Sequence, residues 1–270
     1  MDYPYRAALA SALSYCDEAV IVVGPSVDGT LDAMYAAQAE HGTDRVKVIE
    51  REWAFDRTWQ ERVWAWGAEQ TSAEWLGYLD FDEAIHEDDA PAIRRMMEVP
   101  GVHLIDFPYV HLYGTPRWRE CLNFYKRNVR LGRRDTVNYR MVNWCTDKTP
   151  NHAVCAMVAT IGGQDVNAHL WAGPERAMPQ IPMYHYGWVR TPEALAVSQA
   201  KHFGWYANGG GLEDGHIPDV EPYPFNMTGM RAAGMIEPYA GPHPAVMIEW
   251  YTAHADGWAA LDAELAGVAA

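Results

Sequence analysis

Residues 18–30 read EAVIVVGPSVDGT, a short run of β-branched apolar residues that passes into a turn of small and polar ones. The apolar run at 19–23 is typical of a buried strand in a parallel sheet. Residues 5–15 and 30–41 on either side have helical spacing, and residues 46–50 predict a second strand. Helices that alternate with strands predict an α/β fold with a parallel sheet.

A second decisive stretch, WLGYLDFDE at residues 75–83, places Asp80 and Asp82 at the end of a strand predicted over 75–81. The carboxyl edge of such a strand is where α/β folds bind their ligands. Carboxylates bind hard divalent cations, which phosphoryl oxygens also attract. The pattern therefore indicates a metal site, although a solvated acidic loop before the next helix fits it too. Helices are predicted beside this strand near 58–71 and 89–98.

The pattern changes near residues 100–115, after which longer, antiparallel strands are expected. Strands are predicted at 102–113, 123–131 and 182–190, and helices at 192–206 and about 244–266. Residues 207–244 are rich in Gly and Pro and predict a mobile loop. We interpret the chain as one domain with two halves, 1–112 and 113–270, the second ending in the C-terminal helix.

The chain is acidic, with a formal net charge of −15. This charge disfavours autonomous binding to nucleic acid or to anionic lipid. The N-terminal residues lack the basic and apolar pattern of a signal peptide, and no apolar run reaches the length of a membrane span, so we expect a cytoplasmic protein without a span. The cysteines show no CxxC pair and are expected to be reduced: Cys16, Cys121, Cys145 and Cys155.

Two further clusters have a functional and an ordinary interpretation. In YHYGWVR at 184–190, His185 is either a buried core histidine or a metal ligand, and with Arg190 it could bind phosphate. The densest basic cluster either recognises an anion or forms a solvated strand edge. Its members are Lys126, Arg127, Arg130, Arg133 and Arg134.

The stretches CDEAVIVVGPSVDGT and EWLGYLDFDEAIHEDD, in this order, resemble the nucleotide-sugar half of family 2 glycosyltransferases. The later YHYGWVR stretch and the PHP sequence at 242–244 resemble a subgroup of these enzymes, so the resemblance extends from residue 2 to about 250. It implies a GT-A fold, which is Rossmann-like, with a mostly parallel central sheet flanked by helices and a smaller antiparallel acceptor-side region. Residues 1–112 would then bind the nucleotide sugar, and 113–270 would form the acceptor side.

The resemblance also implies roles for individual residues. Asp82 would bind Mn or Mg on the donor diphosphate, and His185 would complete that metal site. Asp80 would contact the ribose or base side of the donor, a UDP- or GDP-sugar. The other donor-binding candidates are Gly24, Ser26, Asp28 and Arg190.

The sequence departs from the family at two places. Gly24 stands where the family commonly has an Asp that contacts the base, which leaves the donor base open. Relatives also have an earlier strand that ends in Arg-Asn, central in the sheet, where this chain begins with Asp2-Tyr3-Pro4-Tyr5. We expect either a native start upstream of Met1 or another segment in that place, since strand edges would otherwise be unpaired.

An inverting transfer needs a carboxylate that deprotonates the acceptor hydroxyl. The candidates are Asp147, Asp165 and Glu175, and we favour Asp147 because it lies in a polar turn between predicted strands. The Gly-rich residues Asn208 to Gly211 are a candidate lid over the donor.

The acceptor stays open: a protein, a glycan, a lipid-linked sugar or a hydroxylated nucleobase in DNA. Two other functions fit the same residues. One is a non-catalytic nucleotide- or carbohydrate-binding protein of the same fold. The other is a metal-dependent phosphohydrolase or nuclease that uses the same carboxylates together with histidines, for which the candidates are His86, His103, His111, His152 and His169.

Overall fold

The structure is a computed structural model that describes residues 3–52, 59–121, 127–143, 153–168, 172–191, 194–196 and 226–267. The helices are α1 (Tyr5–Tyr15), α2 (Thr30–His41), α3 (Trp59–Glu69), α4 (Ala90–Met97), α5 (Met227–Ala232), α6 (Ala245–Ala253) and α7 (Ala255–Gly267). The first strands are β1 (Ala19–Val23), β2 (Val46–Glu50), β3 (Trp75–Gly77), β4 (Glu83–Ile85), β5 (Leu104–Glu120) and β6 (Arg127–Arg133). The remaining strands are β7 (Val137–Asn143), β8 (Ala153–Ile161), β9 (Gln164–Asn167), β10 (Arg176–Ala177), β11 (Met183–Val189) and β12 (Ile236–Pro238).

The N-terminal elements form a small parallel unit. β1 pairs with β2 in parallel, with Ala19 opposite Val46. Apolar residues from α1, α2 and both strands share one core, among them Leu9, Ile21 and Met34. The β-branched run predicted the strand correctly because a strand covered on both faces needs no polar alternation.

The largest sheet has seven strands in the order β3-β6-β5-β11-β4, with β10 and β12 also on β5. β5 runs parallel to β10 and β11, and the other pairings in this sheet are antiparallel. The molecule is therefore mixed α/β, and the described residues do not show the predicted mostly parallel central sheet. No helix is described between β5 and β6, so this pair lacks the crossover helix that usually joins parallel neighbours.

The β1-β2 sheet and the seven-stranded sheet are separate in the part of the chain that the structure describes. There, β1 pairs with β2 alone, and β3 pairs with β6 alone. β7, β8 and β9 form a third, antiparallel sheet with Val137 opposite Ala159. The boundary that we placed after residue 112 falls inside β5, so both halves contribute to the same long strand.

Several predicted elements have different bounds in the structure. The strand expected at 75–81 ends at Gly77, because Glu83 N donates to Asp80 O at 3.0 Å and closes a turn. The strand expected at 102–113 extends to Glu120, and the last helix is broken at His254. Regular structure also occurs inside the predicted loop 207–244, as α5 and β12. Among the described helices, none has both the length and the apolar composition to span a membrane.

Candidate functional site

The turn between β3 and β4 carries Asp80 and Asp82, and its neighbour in space is β11. β4 pairs antiparallel with β11, with Glu83 opposite His185, and Tyr186 N donates to Asp82 O at 2.7 Å. This register brings Asp82 Oδ1 to 3.8 Å from His185 Nε2. Both side chains are largely buried, with 14% and 13% of their surface exposed. Two residues that are far apart in sequence therefore meet at one point.

One of the two oxygens of the Asp82 carboxyl, Oδ1, is buried and has no hydrogen-bond partner among the described residues. Burial and the charge of Asp80 raise the pKa of Asp82 to about 7, while Arg190 lowers it. A buried carboxylate oxygen without a partner costs free energy unless a proton or a cation satisfies it.

Gly187 on β11 lies directly against Asp82 and His185. A Cβ atom at this position would lie 2.7 Å from Asp82 Oδ2 and 2.7 Å from His185 Nε2. The 3.8 Å separation is too long for a hydrogen bond between the two side chains. Two ligands that each lie about 2.1 Å from one cation can be that far apart. The two donor atoms and their separation therefore fit a divalent cation.

Across the described ranges, no group of three or more His, Cys, Asp and Glu side chains is arranged to hold a metal ion. A site at Asp82 and His185 would thus take its other ligands from a bound ligand and from water. This is how Mg²⁺ is usually held in phosphate-transferring sites, with one or two carboxylates and substrate phosphates.

A buried ionic network fixes Asp80. Arg130 Nη2 lies 3.2 Å from Asp80 Oδ2, and the same guanidinium pairs with Glu83, whose side chain is fully buried. Asp80 N in turn donates to Glu83 Oε2 at 3.2 Å. More than half of the Asp80 side chain stays exposed, at 55%. Asp80 is therefore held on one side and presented to solvent on the other.

Aromatic rings surround the Arg130 guanidinium. Its Cζ lies 4.1 Å from the centre of the Tyr78 ring, and Tyr78 stacks on Trp64 with ring centres 4.0 Å apart. Tyr109 accepts from Arg130 and donates to Glu83 at 2.8 Å. Because aromatic rings and a carboxylate enclose it, the Arg130 guanidinium is held rigidly and shielded from water.

The rest of the basic cluster makes internal contacts. Arg127 pairs with Asp106, which is buried and also pairs with Arg176. Arg133 pairs with Glu74, and Arg134 donates to backbone carbonyls that include Thr71 O at 2.6 Å. These arginines tie strands and loops together, and Lys126 lies outside the described residues.

The predicted donor turn follows β1. Asp28 accepts hydrogen bonds from Ser26 and Thr30, which lower its pKa to about 2. Gly24 is half-buried, and Ser26 and Asp28 are exposed. Phe81, between the two aspartates, packs against the core cluster that contains Val23 at the end of β1. The turn and the Asp80 loop are thus anchored to one core.

Arg190 directly follows β11. Its Cζ lies 4.0 Å from the centre of the Tyr3 ring, and its Nη2 is buried with no hydrogen-bond partner among the described residues. The charge of Arg190 lowers the pKa of Asp82. The positively charged guanidinium of Arg190, a hydrogen-bond donor, therefore lies close to the predicted metal ligands.

Two of the predicted bases make contacts on other strands of the described structure. Asp165 lies on β9 and accepts from Thr160 Oγ1 at 2.7 Å. The Glu175 carbonyl accepts from Leu104 N at the start of β5, seven residues before His111, which is roughly 23 Å at strand spacing. Asp147 and the predicted lid at 208–211 lie outside the described residues.

Sequence reasoning missed Glu83, Tyr109 and Gly187 as site residues, and it named His111 only among the histidines of an alternative metal enzyme. Glu83 directly follows the two aspartates, and Gly187 lies within the YHYGWVR stretch, so both were inside quoted motifs. Tyr109 and His111 join the site through the pairing of β5 with β11, which no local pattern predicts.

Comparison of the chain with protein-family models, with curated proteins and with solved structures gives no match. Support for a function therefore comes from the chemistry of the side chains around Asp82.

Proposed function

We propose that this protein is a metal-dependent glycosyltransferase of the GT-A type, which moves a sugar from a UDP- or GDP-sugar to an acceptor hydroxyl. One observation carries the proposal: Asp82 and His185, from separate segments, converge beside Gly187 with a buried carboxylate oxygen that has no protein partner among the described residues. The resemblance of residues 16–30 and 74–89 to family 2 glycosyltransferases supports the same function.

Asp82 and His185 would hold the cation, Mn²⁺ or Mg²⁺. A bound divalent cation stabilises the negative charge that a nucleoside diphosphate gains when the sugar leaves. Arg190 would place a fixed positive charge beside the same diphosphate, and its guanidinium suits phosphate oxygens. Together these residues would bind the leaving group more tightly as its charge develops, which is the condition for catalysis.

Asp80 would orient the donor. Arg130 holds its carboxylate, Glu83 accepts from its backbone N–H, and its exposed part can accept hydrogen bonds from ribose hydroxyls. Gly24, Ser26 and Asp28 would line the nucleotide at the neighbouring turn. For an inverting transfer, Asp147 would accept the proton of the acceptor hydroxyl.

The test is thermal unfolding with a panel of nucleoside diphosphates and nucleotide sugars, each with and without Mn²⁺. A ligand at 100 times its Kd stabilises the folded state by about 2.7 kcal/mol. For a chain of this size we expect a rise in Tm of about 5 °C or more. The rise should need both Mn²⁺ and one nucleotide, and Asp82→Asn should abolish it.

Asp88→Asn is the matched control, since Asp88 is 88% exposed and lies on the same segment. The shift should survive this change. Product analysis with the stabilising donor then separates transfer to an acceptor from hydrolysis of the donor. Absence of any Mn²⁺-dependent shift, or a shift of equal size in Asp82→Asn, would contradict the proposal.

A further inference from the structure

Two histidines on neighbouring strands share one hydrogen bond. His111 on β5 is paired in register with His185 on β11, and their Nδ1 atoms are 3.1 Å apart. The rings meet edge to face, with centres 5.1 Å apart. A neutral imidazole has one N–H donor and one acceptor nitrogen, so one ring donates this bond and the other accepts it.

The direction of this bond decides what His185 offers to Asp82. His185 Nε2 faces Asp82 Oδ1 at 3.8 Å, which is beyond hydrogen-bond distance. A cation between them needs the Nε2 lone pair, so the proton of the neutral ring must be on Nδ1. The Nδ1 of His111, 3.1 Å away, lies within hydrogen-bond reach of that proton.

We propose that His111 is a positioning residue, which accepts the Nδ1 proton of His185 and thereby directs the Nε2 lone pair of His185 toward Asp82. This inference rests on the proposed function, because it takes the Asp82–His185 pair to hold a divalent cation. Partners of this kind fix the tautomer and orientation of a histidine ligand, and their loss typically costs 10- to 100-fold in metal affinity.

His111 is itself held in place. It is buried, and its ring stacks on Tyr109 with ring centres 5.0 Å apart and planes 23° apart. Tyr109 is bonded to Arg130 and Glu83. The network that holds Asp80 therefore also fixes the ring that orients His185, so the two sides of the site share one support.

The experiment compares Mn²⁺ binding in wild type, His111→Leu and His111→Asn, from the electron paramagnetic resonance signal of free Mn²⁺. The nucleoside diphosphate that stabilises wild type is present throughout. His111→Leu should weaken binding by about 10- to 100-fold, since it has no acceptor. His111→Asn should stay within about threefold of wild type, because its amide oxygen can accept the same proton.

The matched control is His103→Leu. His103 is half-buried and bonds Thr136 Oγ1 at 2.8 Å, away from His185. This variant should bind Mn²⁺ like wild type. If His111 only supported the fold, His111→Leu and His111→Asn would lower Tm and Mn²⁺ affinity together, without rescue by asparagine.

Nitrogen-15 NMR of the histidine rings in the Mg²⁺ complex shows directly which ring nitrogen carries the proton. We expect the His185 proton on Nδ1 and an unprotonated Nδ1 on His111. A proton on His185 Nε2, or wild-type affinity in His111→Leu, would overturn the inference while the proposed function stands. Failure of wild type to bind Mn²⁺ with any nucleotide would overturn both.

Discussion

Gly187 lies so close to Asp82 that a Cβ atom at position 187 would be 2.7 Å from the Oδ2 atom of that carboxylate. The same Cβ would lie 2.7 Å from His185 Nε2. A methyl group at this position would therefore fill the space that the two side chains border. No unusual backbone angle accounts for the glycine, since Gly187 is not among the residues with positive φ.

The first prediction concerns Gly187→Ala. The added methyl group would displace Asp82 or His185, so Mn²⁺ affinity in the presence of the stabilising nucleotide should fall more than about tenfold. Isothermal titration calorimetry measures this loss. Gly257→Ala in α7 is the control, because the nearest atom to its Cβ would be Thr191 Cγ2 at 4.0 Å. Wild-type Mn²⁺ affinity in Gly187→Ala would contradict the assignment of the site.

The second prediction concerns Arg130→Met. Burial raises the pKa of Glu83 to about 8, so only at higher pH does removal of Arg130 leave a buried, unpaired carboxylate. At such pH the free energy of unfolding should fall by roughly 3–5 kcal/mol. Urea denaturation measures this loss. The double variant Arg130→Met with Glu83→Leu should recover part of it, since neither charge remains buried.

Arg94→Met is the control for this series. Arg94 pairs with Asp17 at the surface, where an ion pair contributes about 1 kcal/mol or less. If Arg130→Met cost no more than Arg94→Met, Arg130 and Glu83 would not form the support that we assign to them.

The third prediction concerns pH. The pKa of Asp82 in the folded protein is raised from 3.8 to about 7, so folding favours the protonated side chain. The stability that protonated Asp82 contributes is fully present below about pH 4 and is lost as the pH rises through 7. In EDTA, wild type should therefore lose stability relative to Asp82→Asn between pH 4 and 8, by up to roughly 4 kcal/mol. Denaturant titrations of both proteins at several pH values give this difference.

Mn²⁺ with the stabilising nucleotide should reverse this trend, because the cation binds the carboxylate and not the acid. A difference between wild type and Asp82→Asn that stays constant from pH 4 to 8 would show that folding does not raise the pKa of Asp82.

Local patterns predicted some elements and failed for others, for a physical reason. Residues 19–23 and 46–50 are strands as predicted, because their apolar β-branched side chains suit a covered strand. The predicted strand 75–81 was wrong beyond Gly77, since the turn at Asp80 depends on its hydrogen bond from Glu83. The antiparallel direction of β6 beside β5 agrees with the prediction. The parallel pairing of β11 with β5 was not predicted, because strand pairing is set by contacts between distant segments.

The candidate site shows the same division. Asp80, Asp82, His185 and Arg190 are chemically distinctive in the sequence, and the structure brings them near one another. Their supports are ordinary residues until the fold aligns them. His111 contacts His185 only through the register of β5 with β11, and Arg130 meets Glu83 only through the turn after β3.

The last prediction concerns Arg190→Met. Arg190 is held over the Tyr3 ring, and its Nη2 is buried without a hydrogen-bond partner in the described part of the chain. A diphosphate would supply that partner, and charge-assisted hydrogen bonds contribute about 1.5–3 kcal/mol. Affinity for UDP or GDP with Mn²⁺ should therefore fall by about 10- to 100-fold, while uridine or guanosine affinity stays near wild type. Calorimetry compares these ligands, with Arg119→Met, which removes an exposed pair with Glu237, as control. Equal losses for nucleoside and diphosphate would indicate that Arg190 acts by packing against Tyr3 and not by binding phosphate.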